Sequence, residues 1–425
     1  MQRLIWAELS PPQQQQALAR AQCITDRKLS DAVAAIITQV QRDGDAALAE
    51  LSDRFDGGLP SQWQFTPAQI AQLGNQLEPE LKQAIDTALA NIDTFHRAQQ
   101  QPPLAVTVQT GIDCELHSEA IERVGLYVPG GSAPLISTVM MLAKPAQLAN
   151  CQQRILVTPP PLNPAMAYAA SRCGVSQIFT IGGAQAIAAL AFGTETVPKV
   201  DKIFGPGSRF VTEAKQQVAQ QGVAIDMPAG PSEVLVLADS GANPRFIAAD
   251  LLSQAEHGDD SQALLVTDSP SLADKVLDAL QQQLPQLSRA NIAAAALKQS
   301  RVIIAPSLTE AVAISNAYGP EHLIIQTQAP RQLLGQIRAA GSVFLGPWSP
   351  ESVGDYASGT NHVLPTYGAS RTVSSLTLAD FQRRFTVQQL SQAGLNDLAA
   401  TVTALANAEG LDGHANAITV RLEEQ

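Results

Sequence analysis

The feature that most constrains the fold is a regular alternation of short apolar runs and helix-like stretches between about residues 154 and 345. Runs such as RILVTP, SEVLVLAD, ALLVTD and HLIIQT predict buried strands, and the stretches between them repeat apolar residues at the three- and four-residue spacing of helices. This alternation predicts largely parallel sheets with helices on their faces. A chain of 425 residues is longer than a single hydrophobic core usually accommodates, so we expect two sheets rather than one.

The flanking segments predict additional parts of the fold. The Gln- and Pro-rich residues 1–25 indicate a small N-terminal arm, residues 30–100 have a helical pattern, and the chain from about 377 onward has a purely helical pattern. No GxGxxG motif occurs in a strand–turn–helix setting, so the usual dinucleotide fingerprint is missing. We therefore expect an α/β protein with two incomplete Rossmann-like parallel-sheet domains, an N-terminal arm and a helical C-terminal element.

Charge and composition exclude several classes of partner. The formal net charge of −12 argues against a nucleic-acid footprint or an anionic membrane surface, and no apolar run reaches the length of a membrane span. The four cysteines, Cys23, Cys114, Cys151 and Cys173, are not in CxxC spacing, and the N-terminal residues do not have the pattern of a signal peptide. The sequence predicts a cytoplasmic protein with reduced, structural thiols.

Three glycine-rich turns each precede a predicted helix. They are Pro129–Gly131, Gly182–Gly183 and Gly205–Gly207. Glycine lets the backbone approach a ligand closely, and a helix N-terminus favours an anion. Each turn alone is explained by ordinary turn chemistry, but three in one α/β region favour a nucleotide or phosphate ligand.

Several histidines lie among other polar residues. In LSQAEHG, Gln254 and His257 are three residues apart, so both project from one helix face, although a helix end with solvated polar residues gives the same pattern. His322 directly follows Glu321, His414 lies five residues after Glu409, and the Gly/Ser-rich loop ESVGDYASGTNH contains Asp355 and His362. Nitrogen and oxygen ligands without thiolates suit zinc or manganese. His96 and His117 have no such setting and are interpreted as structural or surface residues.

A longer set of motifs carries a resemblance to a known family. In this order, GLYVPGG, IGGAQAIAALAFGT, FGPGSRFVTEAK, AIDMPAGPSEVLVLAD, LLSQAEHG, YGPEHL, GDYASGTNHVLPT and LDGHANAI resemble the motifs of histidinol dehydrogenases. The resemblance extends across nearly the whole chain, and the part from AGPSEVLVLAD through LLSQAEHG is the most specific.

The resemblance implies an activity and a set of site residues. It implies oxidation of L-histidinol through L-histidinaldehyde to L-histidine, with NAD and a bound zinc ion. The implied zinc ligands are Gln254, His257, Asp355 and His414; the implied acid–base pair is Glu321 and His322; and the implied substrate contacts are Ser232, Gln254, His257, His322, Asp355, Glu409 and His414. It further implies a homodimer in which the partner subunit supplies His414 and Glu409.

The NAD contacts implied by the resemblance are Tyr127 and Gln185, and a third falls on Ser208. The family usually has Asn at this third position, after the Gly-Pro-Gly turn, and the shorter reach of Ser predicts weaker NAD binding. The implied domains are an arm at 1–25, a catalytic α/β domain at 26–127 and 235–376, an NAD-binding domain at 128–234 and a dimerisation element at 377–425.

Two other activities fit the same residues. Zinc beside a carboxylate base is also found in metal-dependent hydrolases, which need no nicotinamide. A member of the family that acts on another amino alcohol, or a binding protein that has lost catalysis, is the second alternative. Because Glu321, His322 and the four implied zinc ligands are all present, loss of catalysis is disfavoured, whereas a changed substrate stays open.

Overall fold

The computed structural model describes residues 1–20, 27–130, 134–227 and 230–423. Two residues singled out in the sequence, Cys23 and Gly131, and the expected domain edge at residue 25 lie outside the described residues. The chain divides into two compact units. The main unit comprises Met1–Ala98 and Ile121–Phe381, and the C-terminal unit comprises Gln99–Ala120 and Gln382–Gln425.

Strands and helices alternate through most of the main unit. The strands are β1 Gln2–Ile5, β2 Gln64–Phe65, β3 Leu104–Gln109, β4 Ile112–Ala120, β5 Arg123–Tyr127, β6 Gln153–Val157, β7 Gln177–Phe179, β8 Lys202–Phe204, β9 Ala224–Ile225, β10 Glu233–Ala238, β11 Gln262–Thr267, β12 Arg301–Ile304, β13 His322–Gln326, β14 Ser342–Leu345 and β15 Gln382–Leu390. The α-helices are α1 Pro11–Ala17, α2 Arg27–Phe55, α3 Pro67–Gly74, α4 Pro79–Arg97, α5 Ile136–Leu148, α6 Pro164–Arg172, α7 Gly183–Phe192, α8 Arg209–Gln220, α9 Pro244–Ala255, α10 Pro270–Gln283, α11 Ala290–Gln299, α12 Leu308–Tyr318, α13 Pro330–Leu334, α14 Glu351–Tyr356, α15 Gln392–Ala408 and α16 Asp412–Glu423.

The main unit contains two six-stranded sheets. Sheet 1 has the order β1-β12-β11-β10-β13-β14, and all its pairings are parallel. Sheet 2 has the order β2-β7-β6-β5-β8-β9 and is parallel apart from its edge strand β2. The prediction of an α/β fold with two parallel sheets is therefore confirmed.

The central strands of sheet 1 are mostly apolar and buried. Every residue of β10 and β11 is buried, as expected for central parallel strands that are covered by helices on both faces. Helix α9 begins as its sequence predicts: Asn243 is the N-cap, its side chain accepts a hydrogen bond from the Arg245 N–H, and Pro244 occupies the first turn. The last turn of α9 and the start of β10 bring two of the candidate site segments to one end of sheet 1.

The C-terminal unit is partly a sheet. The expectation of a purely helical pattern from about residue 377 is wrong for its first part, because Gln382–Leu390 form β15, which pairs antiparallel with β4. Phe385, Thr386 and Val387 favour a strand, and β4 supplies the backbone partners that decide between the two conformations. Helices α15 and α16 follow, so the helical element itself is present. Among the described residues, no helix is long and apolar enough to cross a membrane.

Candidate active site

The Glu321–His322 pair lies at the amino ends of the strands of sheet 1. Glu321 precedes β13, His322 is its first residue, and both side chains are buried. The backbone of Glu233, the first residue of β10, contacts both: its N–H donates to Glu321 Oε2 at 2.7 Å, and its carbonyl oxygen lies 3.1 Å from His322 Nδ1. Because a carbonyl only accepts, Nδ1 carries a proton, and Nε2 of the neutral ring is left as the basic nitrogen.

Three carboxylates surround the His322 imidazole. Glu321 Oε2 and Glu351 Oε1 lie 3.7 and 3.9 Å from Nδ1, and Asp355 Oδ1 lies 3.5 Å from Nε2. Burial alone lowers the pKa of His322, but these carboxylates outweigh burial and hold that pKa well above its ordinary value.

Burial acts in the opposite direction on Glu321. It raises the pKa of the Glu321 carboxyl to about 8, and the neighbouring imidazole only partly offsets this rise. A buried acid with a pKa close to neutrality, next to an imidazole with one free nitrogen, is suited to general acid–base chemistry.

A cluster with the geometry of a metal site adjoins this pair. One ligand atom from each of His257, Glu351 and Asp355 lies within 4.8 Å of the others. Glu351 and Asp355 are four residues apart on α14 and so share a helix face, and α14 packs against α9, which ends just before His257. Burial raises the pKa of Asp355, but the His322 imidazole outweighs burial and leaves that pKa below its ordinary value.

Unpaired polar atoms around the cluster test whether it fits a cation. Gln254 is fully buried, yet neither its amide oxygen nor its amide nitrogen has a hydrogen-bond partner within the described ranges. The same holds for His322 Nε2 and Glu351 Oε2. A buried polar atom without a partner costs about 1–3 kcal/mol, so such a group indicates a ligand. Amide, imidazole and carboxylate donors without thiolates fit zinc.

The remaining residues implied for the substrate and the metal lie in two places. Ser232 is half-buried immediately before β10, and its carbonyl accepts from the Gln262 N–H at 3.1 Å. Glu409, the C-cap of α15, and His414, in α16, belong to the C-terminal unit, and both side chains are exposed.

The three other histidines have separate settings. His362 contacts the Asp355 carbonyl through Nδ1 at 2.9 Å and the Thr138 hydroxyl through Nε2 at 3.3 Å, which links the metal-type cluster to α5. His96 is buried, with Nδ1 at 2.9 Å from a backbone carbonyl, and His117 pairs with Glu115. His96 and His117 therefore have structural settings, as their sequence context predicts.

The glycine-rich turns lie at the carboxyl ends of the strands of sheet 2, the usual position of ligands in open α/β sheets. Tyr127 ends β5, and its hydroxyl accepts from the Gly183 N–H at 3.2 Å. Gln185, in the first turn of α7, donates to Asp56 Oδ2 at 3.1 Å. Ser208 is the exposed N-cap of α8, and its side chain makes no capping bond.

Sequence reasoning missed three acidic residues of these sites. Glu351 could have been found from the sequence, because it lies four residues before Asp355 and therefore on the same face of a helix. Asp56 could not, because Gln185, to which it is hydrogen-bonded, lies 129 positions away in the chain. Glu233 acts through its backbone, which carries no signature of residue type.

Fold and site together define a class. Two parallel sheets covered by helices, glycine-rich turns at the carboxyl ends of one sheet, and a buried acid–imidazole pair beside metal-type ligands are the features of an α/β enzyme.

Comparison with known proteins gives the family. A family model described as histidinol dehydrogenase matches residues 19–422. The chain is 60% identical to a histidinol dehydrogenase of Shewanella oneidensis, over 99% of both chains, and 57% identical to one of Salmonella typhimurium, over 98% of this chain and 96% of that one. A crystal structure of the histidinol dehydrogenase from Elizabethkingia anophelis superposes with a TM-score of 0.96 at 43% identity, covering 100% of this chain and 98% of that one. The chain belongs to the histidinol dehydrogenase family, as its motifs predict, and it is an oxidoreductase.

Proposed function

We propose that this enzyme oxidises L-histidinol to L-histidine in two NAD-dependent steps, with L-histidinaldehyde as a bound intermediate and zinc as its metal. The observation that carries the proposal is the buried Glu321–His322 pair, whose free Nε2 lies 3.5 Å from Asp355 of the metal-type cluster. The reaction would supply histidine biosynthesis.

Gln254, His257 and Asp355 would hold the zinc ion together with His414 of the partner subunit. The buried, unpartnered amide of Gln254 and the grouping of His257 with Asp355 support this set. When bound, zinc would hold and orient the amine and imidazole of the substrate.

Further contacts would fix the two organic ligands. Ser232 and His322 would contact the substrate beside the metal ligands, and the partner's Glu409 would complete the pocket. Tyr127 and Gln185 would contact NAD, which accepts the hydride in each step. Ser208 lies at the N-terminus of α8, where a hydroxyl can bond a phosphate or ribose oxygen, although with a shorter reach than Asn.

The first oxidation needs a base at the carbinol oxygen. In its neutral form, His322 would take the hydroxyl proton at Nε2 as the hydride leaves the adjacent carbon, because Nδ1 is already committed to the Glu233 carbonyl. The carboxylates around the ring stabilise the imidazolium that results.

The second oxidation needs an oxygen nucleophile. Among the described cysteines of the main unit, Cys151 and Cys173 are buried thiols, and burial raises their pKa values to about 11 and about 12, so neither is an available thiolate. Glu321 would instead remove a proton from water as the water oxygen adds to the aldehyde carbon. The hydrated carbon then loses hydride to a second NAD, which leaves the carboxylate of histidine.

The test is the stoichiometry of NADH formation. Purified, zinc-loaded enzyme is given L-histidinol and excess NAD, and both NADH and histidine are quantified. We expect two NADH per histidinol, loss of turnover on chelation, and recovery with zinc. One NADH per substrate with aldehyde release, or turnover that survives complete zinc removal, would contradict the proposal; no NADH with histidinol but turnover of another amino alcohol would mean a changed substrate.

A further inference from the structure

A buried ion pair joins the N-terminal segment to the start of β10. Arg20 Nε and Nη2 donate to the two carboxylate oxygens of Glu233 at 2.5 and 2.8 Å. The side chains are 14% and 2% exposed. The Tyr367 N–H donates to the same carboxylate at 3.1 Å. Bidentate guanidinium–carboxylate contacts are geometrically specific, so this pair fixes the orientation of Glu233 as well as neutralising its charge.

The same guanidinium also holds the segment that leads into Glu321. Arg20 Nη2 lies 3.0 Å from the Tyr318 carbonyl oxygen and 3.2 Å from the Gly319 carbonyl oxygen, and the guanidinium carbon lies 3.9 Å from the centre of the Tyr318 ring. Gly319 ends α12 in the left-handed conformation, with φ of 65°, two residues before Glu321. Arg20 therefore binds the last turn of α12, just before the chain enters β13.

Arg20 thus bridges the two backbone segments that position the acid–base pair. One segment is Glu233, whose N–H binds Glu321 Oε2 and whose carbonyl binds His322 Nδ1. The other is the turn at Tyr318–Gly319, which sets the position of Glu321 just before β13. A displacement between these segments would lengthen both hydrogen bonds at once.

We propose that Arg20 is a positioning residue for the reaction: through Glu233 and the Tyr318–Gly319 turn, it holds Glu321 in place and keeps the neutral His322 ring in the form with Nδ1 protonated and Nε2 free. This inference rests on the proposed acid–base roles of Glu321 and His322. Arg20 touches no reacting atom. Its removal changes the rate of the chemical steps and leaves the substrate and NAD contacts in place.

The kinetic test compares Arg20→Ala and Arg20→Lys with the zinc-loaded wild-type enzyme. We expect kcat of Arg20→Ala to fall about 10- to 100-fold, as for a small misplacement of reacting groups, with KM for histidinol and NAD within about twofold of wild type. Millimolar guanidinium is expected to restore part of the lost kcat in Arg20→Ala. Arg20→Lys keeps the positive charge but loses the planar, two-nitrogen contact of the guanidinium. Its kcat is expected to lie between those of wild type and Arg20→Ala, and added guanidinium is expected to leave it unchanged.

Arg123→Ala is the matched control. Arg123 makes the same kind of two-nitrogen contact, to Asp201 at 2.9 and 3.2 Å, at the amino end of β5 in sheet 2. We expect its kcat and KM to match wild type. An unchanged kcat in Arg20→Ala, or a kcat loss that guanidinium does not reverse in protein with wild-type thermal stability, would overturn the proposal.

A spectroscopic arm separates this inference from the proposed function. The chain has six histidines, so nitrogen-15 labelling of their rings gives a spectrum in which His322→Asn identifies the His322 signals. At a pH above the pKa of His322, we expect the wild-type ring to be the neutral tautomer protonated at Nδ1, and the ring in Arg20→Ala to be a mixture of tautomers. If Glu321→Gln and His322→Asn kept full activity, the proposed catalytic roles would be wrong. The spectra would still decide whether Arg20 sets the tautomer of His322. Identical His322 signals in wild type and Arg20→Ala would overturn the proposed role of Arg20.

Discussion

At the scale of single residues, burial and nearby charge set the protonation of two adjacent side chains in different ways. Burial favours the neutral acid at Glu321, whereas the carboxylates around His322 favour its charged form. Although both pKa values are raised, the two groups can serve two different steps, the imidazole accepting a proton from an alcohol and the carboxylate from water.

This difference gives a prediction for Glu321→Gln. We expect aldehyde oxidation to fall at least about 100-fold, because the amide cannot accept a proton from water, and alcohol oxidation to fall less than about tenfold. Only the ionised carboxylate is a base, so in wild type the rate of aldehyde oxidation should rise with pH through the Glu321 pKa of about 8. That rise should be missing in the variant.

Single-turnover measurements started with histidinol and with histidinaldehyde separate the two steps. His322→Asn is the matched variant, and it should impair alcohol oxidation more strongly. Equal losses of both steps in Glu321→Gln, or an unchanged pH profile, would contradict the division of roles.

Residue types in the sequence indicated the candidate site only in part. The spacing of Gln254 and His257 and the Glu321–His322 doublet are visible in the sequence, but on their own they also fit helix ends with solvated polar residues, and their roles were implied by the family resemblance. Arg20 could not be identified from the sequence, since it reaches Glu233 from 213 positions away and its effect passes through backbone groups. Positioning contacts of this kind depend on tertiary structure alone.

At the scale of elements, the end of β5 and the turn after β8 approach each other closely. Gly205 has φ of 123°, and a Cβ there would collide with the Tyr127 carbonyl oxygen. The Gly205 N–H donates to Asp226 Oδ2 at 2.7 Å, and buried Lys215 of α8 donates to the Gly205 carbonyl at 2.8 Å while pairing with Asp226. The turn is thus fixed on both sides, and only glycine fits it.

Gly205→Ala should therefore disturb NAD binding. The added methyl must displace the end of β5, which carries Tyr127, and we expect KM for NAD to rise about tenfold with a smaller change in KM for histidinol. Gly222→Ala is the control, because Gly222 also has a positive φ, 92°, but open space around its Cβ position. Gly222→Ala should lose about 1 kcal/mol of stability, measured by denaturant unfolding, and Gly205→Ala should lose more, because its methyl also collides with backbone. Equal KM values for NAD in the two variants would mean that this close approach has no part in binding.

The elements themselves were predictable to different degrees. Buried strands such as β10 and β11 are continuous apolar runs between helical patterns, which makes both their existence and their parallel pairing readable. Strand β15 is different, because five of its nine residues are Arg or Gln and most of its side chains are exposed. Its conformation depends on pairing with β4, a partner more than 260 residues earlier in the chain.

At the scale of the whole molecule, the candidate site residues lie at opposite ends of the strands in the two sheets. The candidate NAD turns follow the carboxyl ends in sheet 2, as in other open α/β sheets, while the acid–base pair lies at the amino ends in sheet 1. The strand order β1-β12-β11-β10-β13-β14 creates this arrangement by setting β13 beside β10. Hydrophobic patterning predicts strands but not their neighbours, so the sequence alone could not place Glu233 against His322.

The C-terminal unit exposes apolar side chains along β3 and on either side of Glu409. Leu104, Val106 and Val108 alternate along β3 and are 59%, 45% and 61% exposed, so one face of that strand is apolar and uncovered. Leu405 and Leu411, which flank Glu409, are 61% and 41% exposed. We propose that a second copy of the chain covers these apolar side chains, and that Glu409 and His414 of each subunit then act at the site of the other.

Mixed dimers test this assembly directly. His257→Asn and His414→Asn each remove one proposed zinc ligand, and each homodimer is expected to be inactive. If His414 acts on the partner's site, a heterodimer of the two variants has one site with both defects and one with neither. Such a heterodimer, purified through two different tags, should have about half the wild-type kcat per dimer and bind about one zinc ion. If His414 acts within its own chain, every site carries one defect. In that case the heterodimer stays inactive and binds no more zinc than the homodimers, which would rule out the partner subunit as the source of the fourth ligand.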